Sequence, residues 1–293
     1  MKERFTWNMN RVILLAALAF FFAAVLGLNA DARENGRLYL VSVGSGDPDN
    51  ITLRAVNVIK GSEVIFCRKK MLDRFPSLLQ GKEMHDPGFG LFSLYGKTPE
   101  EGKKNKRFDY EQKMKELGEI DRIIRSAVKA GKNVSVLDNG DPTIYGPNVW
   151  YMEAFEDLNP EIIPGISSFN AANAALRKGV TSGIKAHSVI LTATFGREEY
   201  TGPDSIERLA EHQASLVFFT MFMDMEDVVK KLMTHYPANT PVAIVLYAGY
   251  KEREEIIQGT LDTIVGQTKG TKLPHEHLIY VGDFLAKRYK DKD

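Results

Sequence analysis

From Arg33 onward, short apolar or β-branched runs alternate with stretches of helical period, and Gly/Pro turns separate them. This alternation constrains the chain most: strands joined through helical crossovers form an α/β protein whose sheet is largely parallel. Residues 38–43 read as a buried strand. Gly44-Ser45-Gly46-Asp47-Pro48 reads as a turn, with Asp47 as N-cap and Pro48 as the first helical position. The helix would run through Ile51, Ala55, Val58 and Ile59 to Gly61, and residues 63–66 supply the next strand.

Between Lys69 and Tyr110 the prolines and glycines predict long connections. The run Lys103-Lys104-Asn105-Lys106-Arg107, flanked by Glu100, Glu101 and Asp109, reads as a solvated loop and not an anion site. Met114, Leu117, Ile120, Ile124 and Val128 recur at helical steps up to Gly131. Further strands are expected at 134–137, 161–163, 189–192, 216–219, 242–247 and 278–281, with helices near 149–157, 170–176, 205–213 and 225–235. The expected organisation is two α/β domains, 33–157 with a parallel sheet and 158–293, sharing a cleft and breaking near 158–160.

The first 32 residues stand apart. Residues 12–28 are unbroken apolar, preceded by Lys2, Arg4 and Arg11, which marks a membrane-targeting segment. Ala30-Asp31-Ala32 offers a small-x-small cleavage site that would leave Arg33 at the terminus; an uncleaved anchor is the equal alternative. Either way the positive flank predicts that the rest of the chain lies beyond the cytoplasm, exported or membrane-anchored. Elsewhere, 38 basic side chains balance 38 acidic ones, so no long-range field favours nucleic acid. The single cysteine, Cys67, excludes an internal disulfide framework and multi-cysteine metal motifs.

Ligands of parallel sheets bind beyond the carboxyl ends of the strands. Three loops qualify: 44–48, 140–146 with its carboxylate and tyrosine, and 165–168 with two hydroxyls at a helix start. The first is neither a dinucleotide fingerprint, since Asp49 holds the third glycine position, nor a phosphate-binding Walker loop. His275-Glu276-His277 lacks a third metal ligand and reads as a surface turn, so no metal site is expected. Met221, Met223 and Met225 read as core or cleft packing.

Taken in order, Val43-Gly44-Ser45-Gly46-Asp47-Pro48, Asn139-Gly140-Asp141-Pro142-Thr143-Ile144-Tyr145-Gly146, Ile163-Pro164-Gly165-Ile166-Ser167-Ser168-Phe169 and Gly259-Thr260-Leu261 resemble the S-adenosylmethionine-dependent tetrapyrrole (corrin/porphyrin) methylases, over about residues 38–285. Within that family, residues 163–176, Val189-Ile190-Leu191-Thr192 and Gly196-Arg197 look most like the precorrin-4 C11-methyltransferases of cobalamin synthesis. The resemblance implies a homodimer that methylates a carbon of a tetrapyrrole. It implies S-adenosylmethionine held by Ser45, Asn139, Gly140, Asp141 and Ile144, with Ser167 and Ser168 beneath and Thr220 and Ala248 closing the adenosine pocket. Gly46, Asp47 and Pro48 would meet the substrate.

Three positions depart from the family pattern: Ser45 replaces a frequent proline, Leu137 or Asp138 a common arginine, and Thr220 a frequent methionine. Cys67 stands about where uroporphyrinogen methylases carry an aspartate base, and reads as a small hydrophobe, so no catalytic side chain is assigned. A second reading is an exported or anchored tetrapyrrole-binding protein of the same fold that transfers no methyl group.

Overall fold

The computed structural model describes residues 35–193, 202–219 and 223–286. The expectations for residues 1–32, Gly196-Arg197, Thr220 and Met221 lie outside these residues. Among the described residues no helix is long and apolar enough to cross a membrane.

Five strands form the first sheet: β1 (Leu38–Ser42), β2 (Val64–Phe66), β3 (Glu83–His85), β4 (Val134–Asp138) and β5 (Glu161–Ile163). Their order is β3-β2-β4-β1-β5 and every pairing is parallel. Alternate side chains feed two cores, which is why β1 and β4 read as continuous apolar runs. On one face Leu38, Leu40, Val134 and Val136 pack against Ile120, Ile124 and Val128 of a long helix, Tyr110–Lys129. On the other, Val41, Ile65 and Leu137 pack against Ala55 and Ile59 of α1 (Leu53–Lys60). Each fully buried Val, Leu or Ile stabilises the fold by roughly 1.5–3 kcal/mol.

α1 begins later than Asp47-Pro48 suggests. Those residues lead into a single 3₁₀ turn, Pro48–Asn50, and the helix is capped by Thr52, whose hydroxyl accepts from the Ala55 amide at 3.1 Å. The long helix, hereafter α2, starts at an Asp109 cap. The stretch read as connections holds three short helices and the edge strand β3, whose half-exposed Glu-Met-His sequence gives no alternation signal. The helix expected over 149–157 is broken into Tyr151–Ala154 and a 3₁₀ turn.

The expected break near 158–160 falls inside the first sheet, because β5 pairs with β1 and Ile163 joins the α1-side core. The chain crosses to the second sheet in the loop after β5. Two helices flank β5 in the chain: α3 (Pro142–Tyr145) precedes it and α4 (Ser168–Leu176) follows it. α4 packs Ala171, Ala172 and Leu176 against Val217, Val245 and Tyr280 of the second sheet.

That sheet comprises β6 (Val189–Thr192), β7 (Ser215–Phe219), β8 (Pro241–Leu246), β9 (Glu255–Thr260) and β10 (His277–Val281), in the order β6-β7-β10-β8-β9. β6 and β7 are parallel; β10 runs antiparallel to both β7 and β8, and β8 antiparallel to β9. Its other face is covered by Leu209, Val228, Leu232 and Ile264 from three helices, Ile206–Ala210, Met225–Leu232 and Ile264–Thr268. Met223 and Met225 pack there, as read.

Candidate active site

Loops leaving β1 and β4 are laced together at the carboxyl edge of the first sheet. The Val43 amide donates to the Asp138 carbonyl at 2.9 Å, the Gly140 amide to the Gly44 carbonyl at 3.1 Å, and the Ser42 hydroxyl to the Gly140 carbonyl. The loop after β5 passes over the same hydroxyl: a Cβ at Gly165 would stand 2.1 Å from Ser42 Oγ, so only glycine fits. Asp141 joins the second and third loops. One carboxylate oxygen accepts from the amide and hydroxyl of Thr143, at 2.8 and 2.6 Å, and the other from the Gly165 amide at 3.3 Å.

The first loop also locks onto the second sheet. The Asp47 amide donates to the Gly249 carbonyl at 2.9 Å, Asn50 Nδ2 to the Ser45 and Gly249 carbonyls at 2.8 and 3.3 Å, and the Lys251 amide to Asp47 Oδ2 at 3.0 Å. Gly46 has φ +81°, and a Cβ there would lie 2.2 Å from the Gly249 backbone. Tyr247, at φ 50°, turns the chain out of β8 toward Ala248; this non-glycine left-handed residue sits beside the site, as strained residues often do.

Between the two sheets these loops enclose a cavity of about 220 Å³. Its wall takes Ser45, Gly46, Asn139, Gly140, Tyr145 and Ser168 from the first sheet's loops. Phe219, Ala248, Tyr250 and the segment 275–278 come from the second. The expected residues Ser45, Gly46, Asn139, Gly140, Ser168 and Ala248 are thus brought together. Asp141 and Ser167 stand behind this wall as helix caps, Ser167 in a capping box with Asn170. Ile144 is 44% exposed and lines no part of the cavity; nor do Asp47, which is bonded to the loop after β8, and Pro48, which is exposed.

Several wall residues were not expected. His275 and Glu276 form an exposed bend, as read, but one that lines the cavity; only His277 enters β10, where it is 8% exposed and its pKa is lowered by burial. Among the described residues no three His, Cys, Asp or Glu side chains converge as a metal site. Arg74, from the short helix Lys70–Arg74, reaches under the wall. Its Nη1 donates to Asn139 Oδ1 at 2.7 Å and its Nη2 to the Val43, Gly44 and Asp47 carbonyls at 3.3–3.5 Å. Burial lowers the Arg74 pKa, partly offset by Tyr250, Glu276 and Asp47. A basic residue in a Pro-broken stretch gave no signal that it would return to this loop.

The wall combines polar groups of Ser45, Asn139 and Ser168 with the apolar Phe219, Ala248 and Leu278, as a ligand with an amino-acid end and a flat heterocycle requires. Tyr145 supplies the most specific sign of one. Its ring stacks on Phe219 at 4.9 Å, and its hydroxyl is buried with no hydrogen-bond partner, which raises its pKa. A buried unpaired hydroxyl costs about 1–3 kcal/mol unless a ligand satisfies it. Asp138, at the end of β4, is buried with Oδ2 unpartnered, and burial pushes its carboxyl up to about 7 against hydrogen bonds from Asn148 and Asn139. Burial, and then Asp86, push the Cys67 thiol up to about 11, so it stays protonated at neutral pH.

The profile of the Tetrapyrrole (Corrin/Porphyrin) Methylases matches residues 37–265. The chain is 31% identical over 262 residues to the cobalt-precorrin-4 C(11)-methyltransferase of Methanocaldococcus jannaschii, covering 87% of this chain and 91% of that one. It is 27% identical over 251 residues to the precorrin-4 C(11)-methyltransferase of Pseudomonas aeruginosa, covering 85% and 90%. Among solved structures, a cobalt precorrin-4 methyltransferase superposes with TM-score 0.67 at 22% identity, over 86% of this chain and 96% of that one. A uroporphyrin-III C-methyltransferase from Thermus thermophilus, complexed with S-adenosyl homocysteine, superposes with TM-score 0.61 at 20% identity, over 88% and 97%. By the family match over residues 37–265 and a relative 31% identical over most of both chains, the chain belongs to the tetrapyrrole (corrin/porphyrin) methylase family.

Proposed function

We propose that the protein methylates a ring carbon of a corrin precursor in a reaction of the precorrin-4 C11 type. As a member of its family it is an S-adenosylmethionine-dependent methyltransferase. The C11 assignment is supported by two relatives bearing that name, at 31% and 27% identity. The observation that carries the reading is the cavity itself, where loops from both sheets converge.

S-adenosylmethionine, when bound, supplies an electrophilic methyl on a sulfonium. The chain's own part is to hold and exclude. The Asn139-Gly140 backbone and Ser168 take the amino-acid end, and Phe219, Ala248 and Leu278 form a water-excluding wall against adenine. The Tyr145 hydroxyl donates to a ligand acceptor. Arg74 fixes Asn139, and the laced loops keep the geometry rigid enough for an in-line displacement. No side-chain nucleophile is required, in keeping with the protonated thiol of Cys67.

The test is incubation with S-adenosylmethionine and precorrin-4, with and without cobalt, followed by mass spectrometry. A gain of one methyl is expected. No gain, in protein that still binds S-adenosylhomocysteine, would leave a binding protein of the same fold and overturn the reading. The same proposal gives residues 12–28 the task of holding the enzyme at a membrane. Deleting residues 1–32 should release it on cell fractionation, and an unchanged distribution would remove that element.

A further inference from the structure

The carboxyl edge of the first sheet carries a second group of side chains that the cavity does not use. Arg68 follows β2, and its guanidinium lies 4.7 Å from the ring centre of Phe89, which follows β3. Arg107 approaches the same ring at 5.7 Å and the ring of Phe108 at 5.2 Å, and the two rings meet edge to face at 5.9 Å. Both arginines are exposed and Phe89 is 40% exposed.

Two like charges drawn to one ring repel each other, and a cation over an exposed ring gains only about 0.5–1 kcal/mol. Of the neighbouring cations, Lys103 pairs with Glu111 at 2.8 Å and Lys113 with Glu116 at 2.5 Å, while Lys69, Lys70 and Lys106, like the two arginines, have no ion pair among the described residues but approach no ring of this cluster. Among the described residues, Arg68 and Arg107 have no carboxylate within ion-pair distance. Asp86, the nearest acid in the loop, turns its carboxylate to the Gly88 amide at 2.8 Å. The backbone around the pair is fixed, since Asn105 Oδ1 accepts from the amides of Arg107 and Phe108 at 2.8 and 3.2 Å. Lys103, Lys104 and Arg107 are all exposed, as the solvated-loop reading expects; Arg107 differs in lying over rings instead of beside a carboxylate.

We propose that Arg68 and Arg107 clamp a carboxylate side chain of the tetrapyrrole substrate, with Phe89 against the edge of the macrocycle. Guanidinium forks match carboxylates in shape and charge, and arginine stacks on aromatic faces. Position supports the assignment: β2 and β3 lie one and two strands from β4, all parallel, so Arg68 and Phe89 leave the same edge of the sheet as the Asn139-Gly140 loop, from strands spaced about 4.8 Å apart. The clamp rests on the function proposed above.

The experiment is a fluorescence titration of the full chain, saturated with S-adenosylhomocysteine, with uroporphyrin, whose pyrroles all carry carboxylate arms. Arg68→Gln, Arg107→Gln and the double variant are titrated beside it. The double variant should bind uroporphyrin about tenfold more weakly, with the difference shrinking in high salt and S-adenosylhomocysteine affinity unchanged. Unchanged uroporphyrin affinity would overturn the clamp and leave the tetrapyrrole reading intact. Absence of uroporphyrin binding by the unaltered chain, with S-adenosylhomocysteine still bound, would overturn both.

Discussion

In the first sheet every strand runs the same way, so the loops after β1, β4 and β5 emerge at one edge and deliver Ser45, Asn139, Gly140 and Ser168 in chain order. In the second sheet β10 runs against β7 and β8, with His277 opposite Leu246 and Leu278 opposite Phe219. The beginning of β10 therefore lies beside the ends of β7 and β8, and the same cavity takes Phe219 and Ala248 from strand ends but 275–278 from a strand start. The rule that ligands sit beyond carboxyl ends describes the first sheet fully and the second only in part. Titration separates the two sheets as well: β4 ends in a carboxyl that burial raises, and β10 begins with an imidazole that burial lowers.

The contact between the sheets is the most sensitive point. Gly46→Ala drives a methyl into the Gly249 backbone and should cost about 4 kcal/mol in urea unfolding and abolish S-adenosylhomocysteine binding. Stability within about 1 kcal/mol of the unaltered chain would mean that the sheets do not depend on this junction.

Asp138→Asn isolates the first sheet. The native carboxyl keeps its proton up to about pH 7, whereas in the unfolded chain it loses it near 3.9, so the native protein loses stability as pH rises through that interval. The variant should lack this slope and be more stable by on the order of 2 kcal/mol at pH 8, read from unfolding at a series of pH values.

Tyr145→Phe keeps the stack on Phe219 and removes the unpartnered hydroxyl. It should stabilise the ligand-free protein by about 1 kcal/mol while weakening S-adenosylhomocysteine binding. A loss in both would mean that the hydroxyl serves the fold. The smallest effect belongs to the second sheet. Burial lowers the His277 pKa, so stability should fall as pH drops through the ordinary histidine range near 6.5, opposite in sign to Asp138. His277→Gln should flatten that acidic limb.

The sequence is most legible where signals are local. Gly-Pro turns directly after apolar strands identify the three loops of the first sheet, and the heptad-like spacing from Met114 to Val128 identifies α2. Strand direction is set by tertiary pairing, so nothing local shows that His277 would line the cavity from the start of an antiparallel strand, with His275 and Glu276 in the bend before it. Edge strands β3 and β9 lack clear alternation for the same reason that they are half-covered. Arg74 escapes notice because its partners lie 27–65 residues away in sequence. Asp141 and Ser167 show the converse: polar residues in a binding loop whose side chains cap helices and hold neighbouring loops in place.

The central claim is that one methyl-donor site is built jointly by parallel loops and an antiparallel strand start. Crystals grown with S-adenosylhomocysteine test it most directly. The account predicts the ligand between Asn139-Gly140 and Leu278, with the Tyr145 hydroxyl hydrogen-bonded to it. A ligand bound elsewhere, with that hydroxyl still unpaired, would contradict it.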